Sequence, residues 1–170
     1  MNDFEKRSTT KKGDFFEQIV REWLWERGHR PTKPAHNGPH AIDMFVVDQN
    51  GKVFAIDAKA KAMRRQWDDT GIDYSHYNTY FDLEKGSNID VWVFFGDHLE
   101  GTVYGATLAE LRAPVMNPPG CKPGQYPRKE GRIIYFPRCQ MHKLFNLTDE
   151  QRAQLAELTL QDDTQVRLFA

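Results

Sequence analysis

Four side chains in the first third of the chain could carry out one reaction. Glu17 sits on an apolar-striped segment, Asp43 opens the apolar run Met44-Phe45-Val46-Val47, and Asp57-Ala58-Lys59 closes the run Val53-Phe54-Ala55-Ile56. Hard divalent cations take oxygen ligands, and Mg²⁺ usually takes one or two carboxylates while keeping several waters. A cation so held offsets charge on a phosphoryl group and lowers the pKa of water. A neighbouring ammonium can orient the attacking group or stabilise transition-state charge. Asp57 is the hardest of the four to explain otherwise, because strands disfavour aspartate and a buried carboxylate needs a partner or a metal. An aspartate such as Asp43 is also a common strand-end cap. The plain alternative for Asp57 and Lys59 is an ion pair on a solvated face.

These residues need a helix and a hairpin to bring them together. Phe15, Phe16, Ile19, Val20, Trp23 and Leu24 recur at three- and four-residue spacing, which predicts a helix from Lys11 to about Arg27. Gly28 suits its left-handed end. Residues 29–40 contain three prolines and read as a loop, with 29–34 the one place for a short early strand. Two strands, His40–Val47 and Lys52–Lys61, flank Asp48-Gln49-Asn50-Gly51, a hairpin signal. A two-residue Asn-Gly turn pairs Asp43 with Ala58. A three-residue loop with Gly51 left-handed in a G1 bulge pairs Asp43 with Asp57. Only the second register puts Asp43, Asp57 and Lys59 on one face, and it is the register expected.

The remaining pattern is a helix from about Tyr74 to Glu84, a buried strand Ile89–Phe95, a strand Thr102–Thr107 and a helical turn Leu108–Arg112. Residues 113–130 are too rich in proline for regular structure, Arg132–Phe136 reads as a strand, and Thr148-Asp149-Glu150-Gln151 is a capping box opening a last helix. At 170 residues, one domain is expected over 1–170. Apolar content of 39% with 28% charged residues fits a soluble domain. No apolar run approaches the roughly 20 residues of a membrane span, and no signal peptide is visible, so no membrane partner and a cytoplasmic location are expected. Cys121 and Cys139 do not make a disulfide framework. Together with His36, His40 and His142 they lack the paired spacing of a structural zinc site.

The order helix acid, strand acid, then acid-x-Lys on the next strand resembles the PD-(D/E)xK nuclease superfamily. Glu17, Asp43, Asp57 and Lys59 stand at its motif positions. Ile42 replaces the expected proline, and Asp57 is aspartate rather than glutamate. The resemblance covers a core of about 11–95 and leaves a C-terminal extension of about 113–170 unmatched. It implies an α/β, restriction-endonuclease-like three-layer fold with a central mixed β-sheet flanked by helices. It implies a Mg²⁺- or Mn²⁺-dependent enzyme hydrolysing phosphodiester bonds, DNA by family precedent with RNA left open. Its compact size resembles small resolvase- or repair-type members, which often work as homodimers. Asp43 and Asp57 would be metal ligands, with the Ala58 backbone carbonyl and Glu17 as further ones, and Lys59 would assist the attacking water.

Net charge is −1, so nucleic acid would be held by local patches. Lys59, Lys61, Arg64 and Arg65 form one. Lys122, Arg128, Lys129, Arg132, Arg138 and Lys143 form another around the single acid Glu130. Trp67, beside Arg64 and Arg65, could stack on a base. His76 and Tyr80 lie at i, i+4 on one helix face, like the polar–tyrosine pair of some relatives. The rival from another class is a non-catalytic nucleic-acid-binding module on the same fold.

Overall fold

In the computed structural model, which describes residues 8–34 and 42–168, the predicted apolar stripe forms the inner face of α1 (Ser8–Glu26). The helix ends in a Schellman motif. Gly28, at φ 77°, donates its amide to the Trp25 carbonyl, and His29 donates to Leu24. The chain then forms β1 (Arg30–Thr32), an edge strand antiparallel to β2 (Met44–Val47). Residues 29–34 therefore do supply the early strand, and Pro31 is tolerated because the strand lies at the edge. β2 is shorter than expected. Ile42 and Asp43 precede it, while His36 and His40 lie outside the described residues.

The hairpin from β2 to β3 (Val53–Lys59) takes the bulged register. Met44 pairs with Ile56 and Val47 with Val53, so Asp43 stands opposite Asp57. Gly51 donates to the Asp48 carbonyl at 3.1 Å and has φ 80°, while Asp48 Oδ1 accepts from the Asn50 and Lys52 amides. A type I turn closed by a left-handed glycine fits this loop, whereas a two-residue turn leaves Asp48 out of its pairing with Lys52.

β4 (Asp69–Asp73) leads into α2 (Tyr74–Ser87), which crosses over to β5 (Asp90–Asp97). That crossover makes β5 parallel to β3, pairing Asp57 with Val93 and Lys59 with Phe95. β6 (Thr102–Thr107) returns antiparallel, and α3 (Leu108–Arg112) carries a capping box, Thr107 with Glu110. The proline-rich stretch contains only short pieces: β7 (Val115–Met116), β8 (Gln125–Tyr126) and β9 (Arg128–Glu130). β10 (Ile133–Pro137) pairs with β4 and β9 in a second sheet. β11 (His142–Asn146) completes the main sheet beside β6, and α4 (Asp149–Leu168) starts at the predicted box, with Thr148 and Gln151 bonded reciprocally.

The main sheet has the order β1-β2-β3-β5-β6-β11, with β3 and β5 its parallel pair. On one face, Phe16, Ile19, Val20 and Leu24 of α1 and Leu155 of α4 pack on Met44, Val46, Ile56, Ala58 and Phe94. On the other, Tyr80 of α2, Leu108 and Leu111 of α3, and Ile134 and Phe136 of β10 pack on Ala55, Val93, Phe95 and Ala106. This is a three-layer α/β arrangement around a mixed sheet. No helix among the described residues is long and apolar enough to cross a membrane.

Gly51 has open space around an added Cβ, so Gly51→Ala tests the left-handed backbone alone. The expected cost is about 1–2 kcal/mol, read as a lower urea midpoint with an unchanged slope.

Candidate metal centre

Strand alternation builds the site. Ala55, Val93 and Phe95 face α2, and Asp57 and Lys59 share the alternation of Ala55. Asp57 is 0% exposed. Lys59 donates from Nζ to Asp57 Oδ1 at 2.7 Å, with a quarter of its side chain exposed. Asp43 comes onto the same face through the hairpin register. Its amide donates to the Ile56 carbonyl at 3.0 Å, and its Oδ2 accepts the Ala58 amide at 2.7 Å. Asp43 is thus the strand-end cap that the sequence allowed, and its carboxylate also stands beside Asp57. An extended residue sends its N–H and C=O out on the same side, so the Ala58 carbonyl faces the Asp43 side as well.

The electrostatics follow from this crowding. Burial first, then the charges of Asp57 and Glu17, push the Asp43 carboxyl up to about 8, against the lowering influence of Lys59 and the Ala58 amide. Burial works to neutralise Lys59, but Asp57, Asp43 and Glu17 together outweigh it and hold the ammonium above its ordinary value. Glu17 is on α1, on the other side of the sheet. Its carboxylate pairs with Lys33 at 2.8 Å, and its charge reaches both Asp43 and Lys59.

The fit to a divalent cation rests on the donor chemistry. Asp57 Oδ2 is buried and has no hydrogen-bond partner, a costly state for a carboxylate oxygen. Two carboxylates and a backbone carbonyl are oxygen donors of the kind Mg²⁺ or Mn²⁺ uses while retaining waters. Among the described residues, no three His, Cys, Asp or Glu side chains are grouped to enclose an ion by themselves. The cysteines and His142 do not form a zinc cage either, since His142 bonds Glu110 and Cys121 donates to the Asp68 carbonyl.

The other expected residues are spread more widely. Tyr80 is fully buried under the sheet, so it offers no surface to a nucleic acid. Its hydroxyl makes no close hydrogen bond, and burial first, then the charge of Asp57 and a weaker hydrogen-bonding contact with its carboxylate, push its pKa far up. His76 is stacked obliquely near it at 6.3 Å between centroids, with a buried unpartnered Nδ1. Lys61 does not continue the Lys59 face. Its amide bonds the Lys59 carbonyl at 2.8 Å, which ends the pleat, and its Nζ donates to Gly71 of β4 at 2.9 Å. Arg64 is held internally: it grips Asp69 with two bonds of 2.5 and 2.6 Å, reaches Glu130 at 3.1 Å and lies 3.8 Å over the Tyr135 ring. Arg65 is exposed and Trp67 is half-buried beside it.

Half of the second basic stretch is similarly committed. Lys122 and Arg128 converge on Glu130, and Arg138 joins Asp68 to Glu100. Sequence reasoning missed Asp69, which is 0% exposed and also accepts from the Tyr126 hydroxyl at 2.6 Å. The one signal was its place in an acidic pair, Asp68-Asp69, just ahead of Thr70-Gly71-Ile72.

No family model matches the chain, and no curated protein does. Among solved structures it is similar to Hjc, a Holliday junction resolvase from the archaeal hyperthermophile Archaeoglobus fulgidus. The TM-score is 0.52 at 11% identity, over 75% of this chain and 90% of that one. This is the restriction-endonuclease-like fold. It is the fold that the order of acids and strands implied.

Asp43 keeps its proton between about pH 4 and 8 in the folded metal-free protein, whereas the unfolded chain releases it near 3.8. Stability from this group is full below that range and is lost as pH rises toward 8. In EDTA, Asp43→Asn should melt like the wild type near pH 4 and several degrees higher at pH 8.5, at about 2–4 °C per kcal/mol. Arg64→Ala strands the buried Asp69 charge. It should cost about 3 kcal/mol or more, measured by urea unfolding.

Proposed function

We propose that this protein is a divalent-metal-dependent nuclease that hydrolyses DNA phosphodiester bonds, acting as a small structure-selective endonuclease. The observation that carries the reading is the buried Asp57, paired by register with Asp43, ion-paired to Lys59 and left with one carboxylate oxygen unsatisfied. Asp43, Asp57 and the Ala58 carbonyl would hold the cation. When bound, it supplies positive charge against the phosphoryl oxygens and a more acidic water.

The chain's own groups do the positioning. Lys59, fixed by Asp57, is a cation and a hydrogen-bond donor rather than a base. It orients the water whose oxygen attacks phosphorus, and it steadies charge on the phosphoryl group as the ester oxygen departs. Glu17 adds negative charge beside Asp43 and Lys59 and is anchored by Lys33. The exposed Arg65 is available to the strand backbone, whereas Arg64 is tied to Asp69. The similar fold of a Holliday junction resolvase makes branched DNA the first substrate to try. A homodimer would set two such sites against two strands.

The decisive assay is cleavage of labelled duplex, single strand, flap and four-way junction with Mg²⁺, Mn²⁺ or EDTA. Cutting should need the metal and favour a branched form. Asp57→Asn should abolish it, and Lys59→Met should lower kcat about 10²- to 10³-fold. Equal binding without cutting by wild type and Asp57→Asn would replace this reading with a non-catalytic DNA-binding module.

A further inference from the structure

A cavity of about 370 Å³ opens beyond the C-terminal ends of β3 and β5, lined by Met63, Gln66, Trp67 and Leu99 with Arg65 and Arg138 among its cations. Its acids are already satisfied. Asp97 accepts the Leu99 and Glu100 amides on one oxygen and the Met63 amide at 3.0 Å on the other. Asp68 and Glu100 are both engaged by Arg138. What remains toward the cavity is different in kind: an indole, an exposed leucine, a primary amide and an exposed guanidinium. Among the described residues, neither the Gln66 nor the Arg65 side chain makes a hydrogen bond or an ion pair.

A flat aromatic wall, apolar flanks and a free amide suit a planar ligand with a hydrogen-bonding edge. Arginine at the mouth suits a phosphate attached to it. The cavity also lies on the same sheet face as the acid pair. Asp97 has the alternation of Val93, the strand partner of Asp57, and is four residues further along, about 13 Å at roughly 3.3 Å per residue. A strand seated on the acid pair would reach it within a few nucleotides.

We propose that this cavity takes one unpaired nucleobase of the substrate strand, stacked on Trp67, read at its edge by Gln66, with Arg65 on the adjoining phosphate. The proposal rests on the nuclease reading and narrows its substrate to DNA with a base outside the duplex stack near the cut. Stacking of a base on an aromatic side chain is sequence-tolerant, so the pocket selects for an unpaired base rather than for a sequence.

The test uses the full chain in Ca²⁺ instead of Mg²⁺, with strand integrity checked on a gel. Two end-labelled duplexes are compared, one carrying a single extrahelical 2-aminopurine and one carrying an abasic linker at that place. The expected result is about tenfold tighter binding of the base-bearing duplex and quenching of 2-aminopurine emission. Trp67→Ala should remove both the preference and the quenching, and Trp67→Phe should keep them. Gln66→Ala, at an exposed position, should weaken the preference with an unchanged melting curve. Should Trp67→Ala fail to fold, the wild-type comparison and Gln66→Ala decide. Equal affinity for the two duplexes, no binding of either, or a preference that survives in folded Trp67→Ala would overturn the pocket. Cleavage in Mg²⁺ without a base preference overturns the pocket and leaves the nuclease reading standing. A base preference without cleavage of any substrate does the reverse.

Discussion

A carboxylate without exposed surface in the middle of a sheet must be answered by its surroundings, and Asp57 imposes that condition here. Lys59 answers it from two residues along the same strand. Asp43 adds to the problem, because the hairpin brings a second carboxylate to the same face and leaves it capping the Ala58 amide. The arrangement is locally unfavourable without a cation: Asp43 is driven toward its neutral form and Asp57 retains an unpartnered oxygen. Stability comes from elsewhere, from the two apolar layers on the sheet. A rigid sheet that fixes two crowded carboxylates and a lysine is the kind of preorganised support that the proposed cation would need.

Charge in this protein is mostly spent on architecture. Glu130 gathers Arg64, Lys122 and Arg128, and Asp68 with Glu100 holds Arg138. These links join the 64–69 segment to β9 and to the turn after β10. The cations that read as two nucleic-acid patches in sequence are therefore divided. Some lock the second sheet onto the first, and the exposed ones, such as Arg65 and Arg132, are left to meet solvent or a ligand. With a net charge of −1, any strand binding would fall to local patches of such exposed cations.

How much was legible depended on range. α1 and α2 were visible because helical spacing and end signals lie within one segment. The bulged hairpin was expected because only that register puts Asp43, Asp57 and Lys59 on one face, while the turn residues alone permit either loop. β5 showed as a continuous apolar run because it is buried on both sides, between β3 and β6. β4 and β11 were not visible, and β1 only as the one place open to a short early strand. Arg30-Pro31-Thr32 is three residues at a sheet edge, Asp69–Asp73 has two aspartates and a glycine, and His142–Asn146 is half polar. Each becomes a strand through a distant partner, β2, β10 and β6 in turn. No local propensity announces that pairing.

The same division separates the parts of the site. The sequence by itself determined the order of the acids and the face shared by Asp57 and Lys59, and it narrowed the hairpin to two registers. These follow from turn geometry and strand pleat, which act through a few consecutive residues. Only the tertiary structure decided that Tyr80 is sealed beneath Asp57, that Arg64 belongs to Asp69, that Lys61 turns toward β4, and that Trp67 walls a cavity next to Asp97. Burial and ion pairing act through space, between residues as far apart in the chain as Arg64 and Glu130, so no local pattern encodes them.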